Sequence, residues 1–294
     1  MRRHFICVST IVLIICLVFV ACSFIPKTSI PAETPERAKP SSSEWGPKIL
    51  EVYFVDVGQG DCTIYRYNET NSLIIDAGSG SQSTQVINFI KKLGIKHFDV
   101  VIATHPDEDH IGSLDDVINV FGTSKVYAPK ITKDTVAFSN FATAVQNQGI
   151  KITPPVSGDL FNLGEVSFKI LAPNSAKYNE TNNYSIVTRS VYGKYSFMNM
   201  GDAAFESEKE ILSKYYELNS YVMKIGHHGS STSTSRNFFL MVNPTYSVIS
   251  VGKDNKYGHP SQETLDTISS SAILRTDREG TIIFNTDGDS LWRK

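Results

Sequence analysis

Cysteine is nearly missing from the part of this chain that can fold. Three of its four cysteines, Cys7, Cys16 and Cys22, fall within or at the end of an N-terminal apolar stretch, which leaves Cys62 alone and excludes a disulfide framework. Cys62 follows Gly60-Asp61 beside an expected strand and reads as a small core residue. Charge of one sign is equally scarce: 28 Lys and Arg against 30 Asp and Glu leave a formal net charge of -2. That excludes the global basic field on which non-specific nucleic-acid binding relies, so a phosphate substrate has to be held locally. Beyond residue 22 no apolar run approaches the ~18 residues of a spanning helix. Neither a P-loop nor a Ser-His-Asp order is present. What is there, 294 residues with 41% hydrophobic and 20% charged side chains, is globular and long enough for one large domain or two small ones.

The one long apolar run comes first. Arg2 and Arg3 precede residues 6–20, and Ala21-Cys22-Ser23 follows, the layout of a secretory signal with a short apolar region. Cys22 directly behind a small residue resembles a bacterial lipoprotein box, in which it is lipidated and becomes the first mature residue. Phe19 is unusual three positions ahead of such a cysteine, so a retained signal anchor is the alternative. Either would hold the protein at the outer face of the cytoplasmic membrane. Residues 23–47, dense in Pro, Ser, Thr and charge without an apolar period, read as a disordered tether, and residues 48–294 as the folded domain.

Apolar runs and period-two alternation predict strands at 49–57, 62–67, 72–76, 100–103, 124–127, 165–172, 184–192, 194–200, 221–225 and 246–250. Helical spacing predicts helices at 82–93, 114–121, 136–148, 203–216 and 236–241. Two similar runs of elements, richer in strands than helices, suit two sheets packed face to face with helices outside.

Chemistry concentrates in Thr104-His105-Pro106-Asp107-Glu108-Asp109-His110, directly behind an apolar strand. Imidazole together with carboxylate is a donor set for one or two divalent cations of the zinc, manganese and iron group. The plain alternative is an acidic helix N-terminus with incidental histidines. Against it, acid and histidine residues recur after other expected strands: Gly201-Asp202, His227-His228, Gly258-His259-Pro260 and Arg275-Thr276-Asp277. Loops at one edge of a rigid sheet can bring such groups together. A carboxylate such as Asp202 can bridge two cations, and His227 or His228 can complete the shell of the second.

These residues resemble the metallo-β-lactamase fold hydrolases, and within them the hydrolase domain of ComEC-type DNA-uptake proteins. The marks are Phe54-Val55-Asp56-Val57-Gly58-Gln59-Gly60-Asp61, Ile75-Asp76-Ala77-Gly78, the stretch from Thr104 to Gly112, Asn182-Asn183-Tyr184-Ser185, Gly201-Asp202, His227-His228-Gly229-Ser230, Tyr257-Gly258-His259-Pro260 and Arg275-Thr276-Asp277. The resemblance implies an α/β fold, a four-layer αβ/βα sandwich with a two-metal cleft at one edge. It implies His105 and Asp107 on a first metal, Asp109 and His110 on a second, Asp202 between them, and His228 or His227 on the second. Asp76 would be the buried aspartate that orients the metal loop, and Asn183 stands where many relatives carry a metal-binding histidine. Asp107 and Asn183 replace nitrogen ligands by oxygen, so the expected cofactors are two divalent ions, zinc or manganese.

Two such cations would activate a water between them and clamp a phosphodiester's attacking and leaving oxygens. Asp109 is then expected to steady the nucleophile, and His259 to contact phosphate or protonate the leaving oxygen, unless it merely packs against Pro260. Asn183, Ser230 and His259 are the expected substrate contacts, although the Ser/Thr run from Ser230 can equally serve as a helix-capping loop. Lys224, Lys253 and Lys256 are placed near the cleft edge, where they could meet a polyanion. The expected function is an extracytoplasmic metal-dependent hydrolase, a phosphodiesterase or nuclease acting on extracellular DNA, with nucleic acid or a small phosphodiester as partner. The alternatives are hydrolysis of a small phosphodiester, lactone or β-lactam, and a non-catalytic binding lipoprotein.

Overall fold

The computed structural model describes residues 48–215 and 217–294. The signal or anchor expected at 1–22, the lipidation expected at Cys22 and the tether expected at 23–47 lie outside the described residues, as does Tyr216.

An eight-stranded sheet contains β1 (Leu50–Phe54), β2 (Thr63–Tyr67), β3 (Asn71–Ile75), β4 (Val100–Ile102), β5 (Val126–Tyr127) and β6 (Ile152–Thr153) side by side, with β14 (Ile282–Thr286) and β15 (Leu291–Arg293) added beyond β1. A seven-stranded sheet holds β7 (Leu160–Leu163), β8 (Val166–Ala172), β9 (Val187–Tyr192), β10 (Tyr195–Asn199), β11 (Val222–Lys224), β12 (Tyr246–Ile249) and β13 (Ala272–Arg275) in chain order. The helices are α1 (Ser83–Lys92), the single turn α2 (Glu108–Ile111), α3 (Leu114–Phe121), α4 (Val136–Asn147), α5 (Phe205–Lys214), α6 (Arg236–Val242), α7 (Gln262–Thr267) and the single turn α8 (Thr276–Glu279).

Period-two patterning decides the layers. Val52, Phe54, Tyr65, Leu73, Ile75 and Ile102 enter the space between the sheets, where they meet Phe168, Phe197, Val222 and Val248. Their neighbours one residue out of phase, Tyr53, Ile64, Ile74 and Val101, face the other way and are covered by Val86, Ile90, Leu114, Val117 and Phe141 of α1, α3 and α4. The second sheet repeats the arrangement, with Met198, Met223 and Ile249 under Ile211, Phe238, Phe239 and Val242 of α5 and α6. Each large apolar side chain so buried contributes about 1.5–3 kcal/mol. Helix, sheet, sheet, helix is the four-layer αβ/βα sandwich expected, and Cys62 is fully buried in the first helix-covered layer.

Strand direction then positions the site. β3, β4 and β5 run parallel, as do β10, β11, β12 and β13, so successive strands within each set release their chain at the same end. Asp76, the segment from Thr104 to His110, Asp202, the His227-His228 pair and the loop to His259 all follow such strand ends.

Candidate metal centre

Asp76 organises the loop after β4. Its buried carboxylate accepts hydrogen bonds from the Thr104 backbone N–H at 2.8 Å, the Thr104 hydroxyl at 2.6 Å and His110 Nδ1 at 2.8 Å. The Thr104 hydroxyl also lies 3.1 Å from His105 Nδ1, and His228 Nδ1 donates to the Ser250 carbonyl at 2.9 Å. All three imidazoles therefore have Nδ1 engaged behind them and Nε2 turned toward one space, an orientation that fixes the tautomer needed for ligation. His110 Nε2 is 3.2 Å from Asp202 Oδ1, and His228 Nε2 is 3.3 Å from Asp109 Oδ2 and 3.7 Å from Asp202 Oδ2. His105 Nε2 is 4.0 Å from Asp202 Oδ2.

Bringing these loops together demands unusual backbone. Gly60, at φ +142°, lies so close to Asp109 that a Cβ would stand 2.3 Å from its carbonyl oxygen. His227 and His228 are consecutive non-glycine residues at φ 50° and 54°, conformations that cost about 1–3 kcal/mol each and that persist where surrounding contacts impose them. The His227 N–H bonded to the Gly201 carbonyl at 3.1 Å is one such contact.

The donor set fits a divalent cation. Among the described residues, His105 Nε2, His110 Nε2, His228 Nε2 and Asp202 Oδ1 are buried without an aligned hydrogen bond, even where His110 Nε2 approaches Asp202 Oδ1 to 3.2 Å. An orphaned buried polar atom costs about 1–3 kcal/mol, so four of them around one point call for a common partner. His105, His110 and Asp202 form one group of three whose ligand atoms all lie within 4.8 Å of one another; Asp109, His110 and His228 form a second, and Asp61, Asp202 and His228 a third. Burial lowers the His228 pKa, but Asp202 and Asp61 outweigh it and raise it to about 10. His110 is likewise held well above its ordinary value, burial being overcome by Asp202 and Asp76. His105 goes the other way, down to about 4, through burial and His110. Burial opposes ionisation of Asp109 and Asp202, yet neighbouring histidines hold both carboxyls below the usual range. The carboxylates thus make a strongly cation-seeking well.

Several expected site residues stand elsewhere. Asp107 joins none of the groups: its Oδ1, 3.8 Å from His105 Nε2, accepts from Lys133 Nζ at 2.8 Å. His105 is therefore assembled with His110 and Asp202 instead of with Asp107. Of the paired histidines, His228 is buried inside the centre, whereas His227 sits on its rim, 3.7 Å from Asp202 Oδ2, with Nδ1 3.1 Å from the Thr232 hydroxyl. Asn183, expected as a substrate contact, is engaged by the protein itself. It is buried, its carboxamide oxygen accepts from the N–H groups of Ala204 and Ser207 at the start of α5, and its Nδ2 donates to Glu206. Ser230, also expected as a substrate contact, is buried with its hydroxyl 3.0 Å from that of Thr232, within the loop ahead of α6. Lys224 is not at the cleft edge: it is fully buried, its ammonium against the Asp61 carboxylate and 3.1 Å from the Gly201 carbonyl, while Lys253 and Lys256 are exposed.

His259 borders the centre. Its ring lies 5.6 Å from that of His227 and stacks on Tyr257 at 5.7 Å, and its loop is held by Asn255, which accepts from the His259 N–H at 3.0 Å and donates to the His259 carbonyl at 2.7 Å. Burial, then His227 and His228, push its pKa down to about 4. At neutral pH the ring is neutral, which suits a hydrogen bond to phosphate and not the donation of a proton to a leaving oxygen.

The parts played by Asp61, Lys133 and the buried Lys224 are not legible in the chain. Asp61 stands there only as the end of the stretch from Phe54 to Asp61. Lys224 carried a signal, a lone charge between Met223 and Ile225 in an apolar strand just ahead of the histidine pair.

Comparison with known proteins agrees with this geometry. A sequence profile of the family described as "Metallo-beta-lactamase superfamily" matches residues 55–253. The chain is 30% identical over 251 residues to ComE operon protein 3 of Bacillus subtilis (strain 168), covering 79% of this chain and 32% of that protein. It is 29% identical over 233 residues to Competence protein ComA of Neisseria gonorrhoeae, covering 78% of this chain and 31% of that protein. The chain thus spans about a third of the length of these curated relatives. Among solved structures, the metallo-beta-lactamase fold protein YhfI from Bacillus subtilis superposes with a TM-score of 0.54 at 13% identity, covering 81% of this chain and 100% of that one. Igni18, a metallo hydrolase from Ignicoccus hospitalis KIN4/I, has a TM-score of 0.54 at 14% identity, over 80% and 98% of the two chains.

Proposed function

Because the chain belongs to the metallo-β-lactamase superfamily, we propose that this hydrolase, related to competence proteins, is a phosphodiesterase that cleaves DNA outside the cytoplasmic membrane. The observation that carries the reading is the convergence of four orphaned buried atoms, His105 Nε2, His110 Nε2, His228 Nε2 and Asp202 Oδ1, where parallel strands of both sheets end. With Asp61, Asp109 and Asp202 alongside three imidazoles, the donor set suits zinc or manganese. Two such cations, when bound, supply Lewis acidity and a nucleophile at neutral pH.

The chain's own residues do the positioning. Asp202 belongs both to the group with His105 and His110 and to the group with Asp61 and His228, so it would hold a cation in either, and Asp109 at the mouth can accept a hydrogen bond from the nucleophile. Asp76 and Thr104 hold His105 and His110 in register. Neutral His259 contacts a phosphoryl oxygen. The names of the competence relatives motivate DNA as the substrate. The N-terminal segment, as signal or lipid anchor, would tether the domain through residues 23–47 at the outer membrane face. A second reading, a small phosphodiester, is favoured by the burial of Lys224 and the net charge of -2, which leave few cations to hold a long polyanion.

Hydrolysis of single- and double-stranded DNA, bis-p-nitrophenyl phosphate and a chromogenic β-lactam by the full chain, with manganese or zinc and Asp109→Ala as control, tests the proposal. DNA cleavage abolished in the control supports it, and cleavage of the small diester alone moves the assignment to the second reading. Inactivity on every substrate with metal bound sinks both readings and leaves a binding role.

A further inference from the structure

We propose that Lys133 is a positioning residue for the metal centre, an internal cation that makes its two halves unequal and sets the order in which they load. The inference rests on the cluster being a metal site and goes beyond it. Lys133 comes from the loop between β5 and α4, outside every motif discussed above, and its ammonium lies 2.8 Å from Asp107 Oδ1. That oxygen is also the one 3.8 Å from His105 Nε2, so the ammonium occupies the carboxylate that would pair with His105 around a cation. On the opposite side, among the described residues, Asp109, His110 and Asp202 have no lysine or arginine in ion-pair reach, and the ammonium of Lys224 is taken up by Asp61 behind His228.

The asymmetry has a simple electrostatic consequence. A cation entering beside Asp109, His110 and His228 meets carboxylates and imidazoles, with the Lys224 ammonium neutralised by Asp61 behind them. One entering between His105 and Asp107 must first displace an ammonium, or share Asp107 with it at a few ångströms, where like charges repel even in water. The pair is partly solvated, with 39% and 29% side-chain exposure for Lys133 and Asp107, so displacement is feasible and the lysine can swing out to solvent. The first half therefore fills at low metal concentration and the His105 half only at higher concentration.

The test is a manganese(II) titration of the full-length chain, stripped with chelator and held in detergent solution, counting free ion by its electron paramagnetic resonance signal. The wild type should bind one equivalent tightly and a second more weakly. Lys133→Met should tighten the second by about tenfold or more and leave the first unchanged. Lys133→Arg should keep the wild-type order. In an Asp107→Asn background the Lys133→Met change should have little effect, because the two act through one carboxylate. Lys133→Gln is the second neutral variant should the methionine chain fail to fold, judged by circular dichroism. Two equivalents of equal affinity in the wild type, or a second site that neither neutral variant tightens, overturn the inference while the metal-site reading stands. No manganese bound by any form overturns both.

Discussion

Replacing Lys224 with Met tests how the centre is supported from beneath. Lys224 is 0% exposed and its ammonium touches the Asp61 carboxylate, itself 2% exposed; the remaining Asp61 neighbours are His228 Nδ1 at 3.3 Å and His110 Nδ1 at 3.8 Å. Removing one partner of a buried pair strands the other charge, at a cost of about 3–5 kcal/mol. Methionine recovers only a fraction of this, because the lysine stem is already packed. For a folded part of this size, about 2–4 °C per kcal/mol predicts a fall in melting temperature of roughly 6–20 °C. The assay is guanidinium and thermal unfolding with chelator present, so that metal binding adds no stability of its own. Asp61→Asn alone should also destabilise, and the double variant should lose less than the sum, with a coupling of about 2 kcal/mol or more. A Lys224→Met cost below about 1 kcal/mol, or strict additivity in the double variant, would refute the claim that the pair is a coupled unit.

Two further outcomes follow from the geometry. His259→Ala should lower turnover of a phosphodiester by about tenfold to a hundredfold, the loss of one hydrogen bond to a charged oxygen, while bound metal, measured by atomic emission, stays constant; loss of metal would show that the ring belongs to the ligand set. At Glu51, burial pushes the carboxyl up but Arg66, hydrogen-bonded at 2.5 Å, and Lys294 outweigh it, so its folded pKa lies below the ordinary value. Such a group contributes stability above the unfolded pKa and loses it as pH falls through the folded one. Glu51→Gln should therefore be less stable than wild type at pH 7, with the gap closing in acid unfolding below the usual carboxyl range; a gap independent of pH would contradict the assignment.

Most elements up to residue 250 could be read from the chain because their burial is one-sided. Leu114–Phe121 coincides with the expected helix, and the strands differ mainly in ending earlier, since Asp56, Val57 and Asp76 lie past the last ladder pairs and belong to site loops. The C-terminal part was not read in this way. β14 is only five residues long and earns its place by pairing with β1 over more than 200 positions, Leu50 opposite Thr286, which no local pattern reveals. β6 is two residues, too short for any period. Residues 184–186, expected as strand, precede β9, and Tyr184 closes a turn at Thr181–Tyr184 whose Asn183 is bonded to the start of α5.

The layer architecture and the residue types of the centre are legible in the chain, since alternation dictates which face is buried and since histidine and aspartate carry ligation chemistry wherever they fall. Which candidates meet depends on the folded arrangement. Asp107 and His105 are two apart in sequence, but an ammonium from the β5–α4 loop claims the carboxylate. His227 and His228 are adjacent, yet a left-handed turn buries one and leaves the other on the rim. Lys224, a cation by sequence, became the floor of the site because a strand carried it inward against Asp61. Such choices depend on charges and packing brought from distant segments, which no local pattern contains.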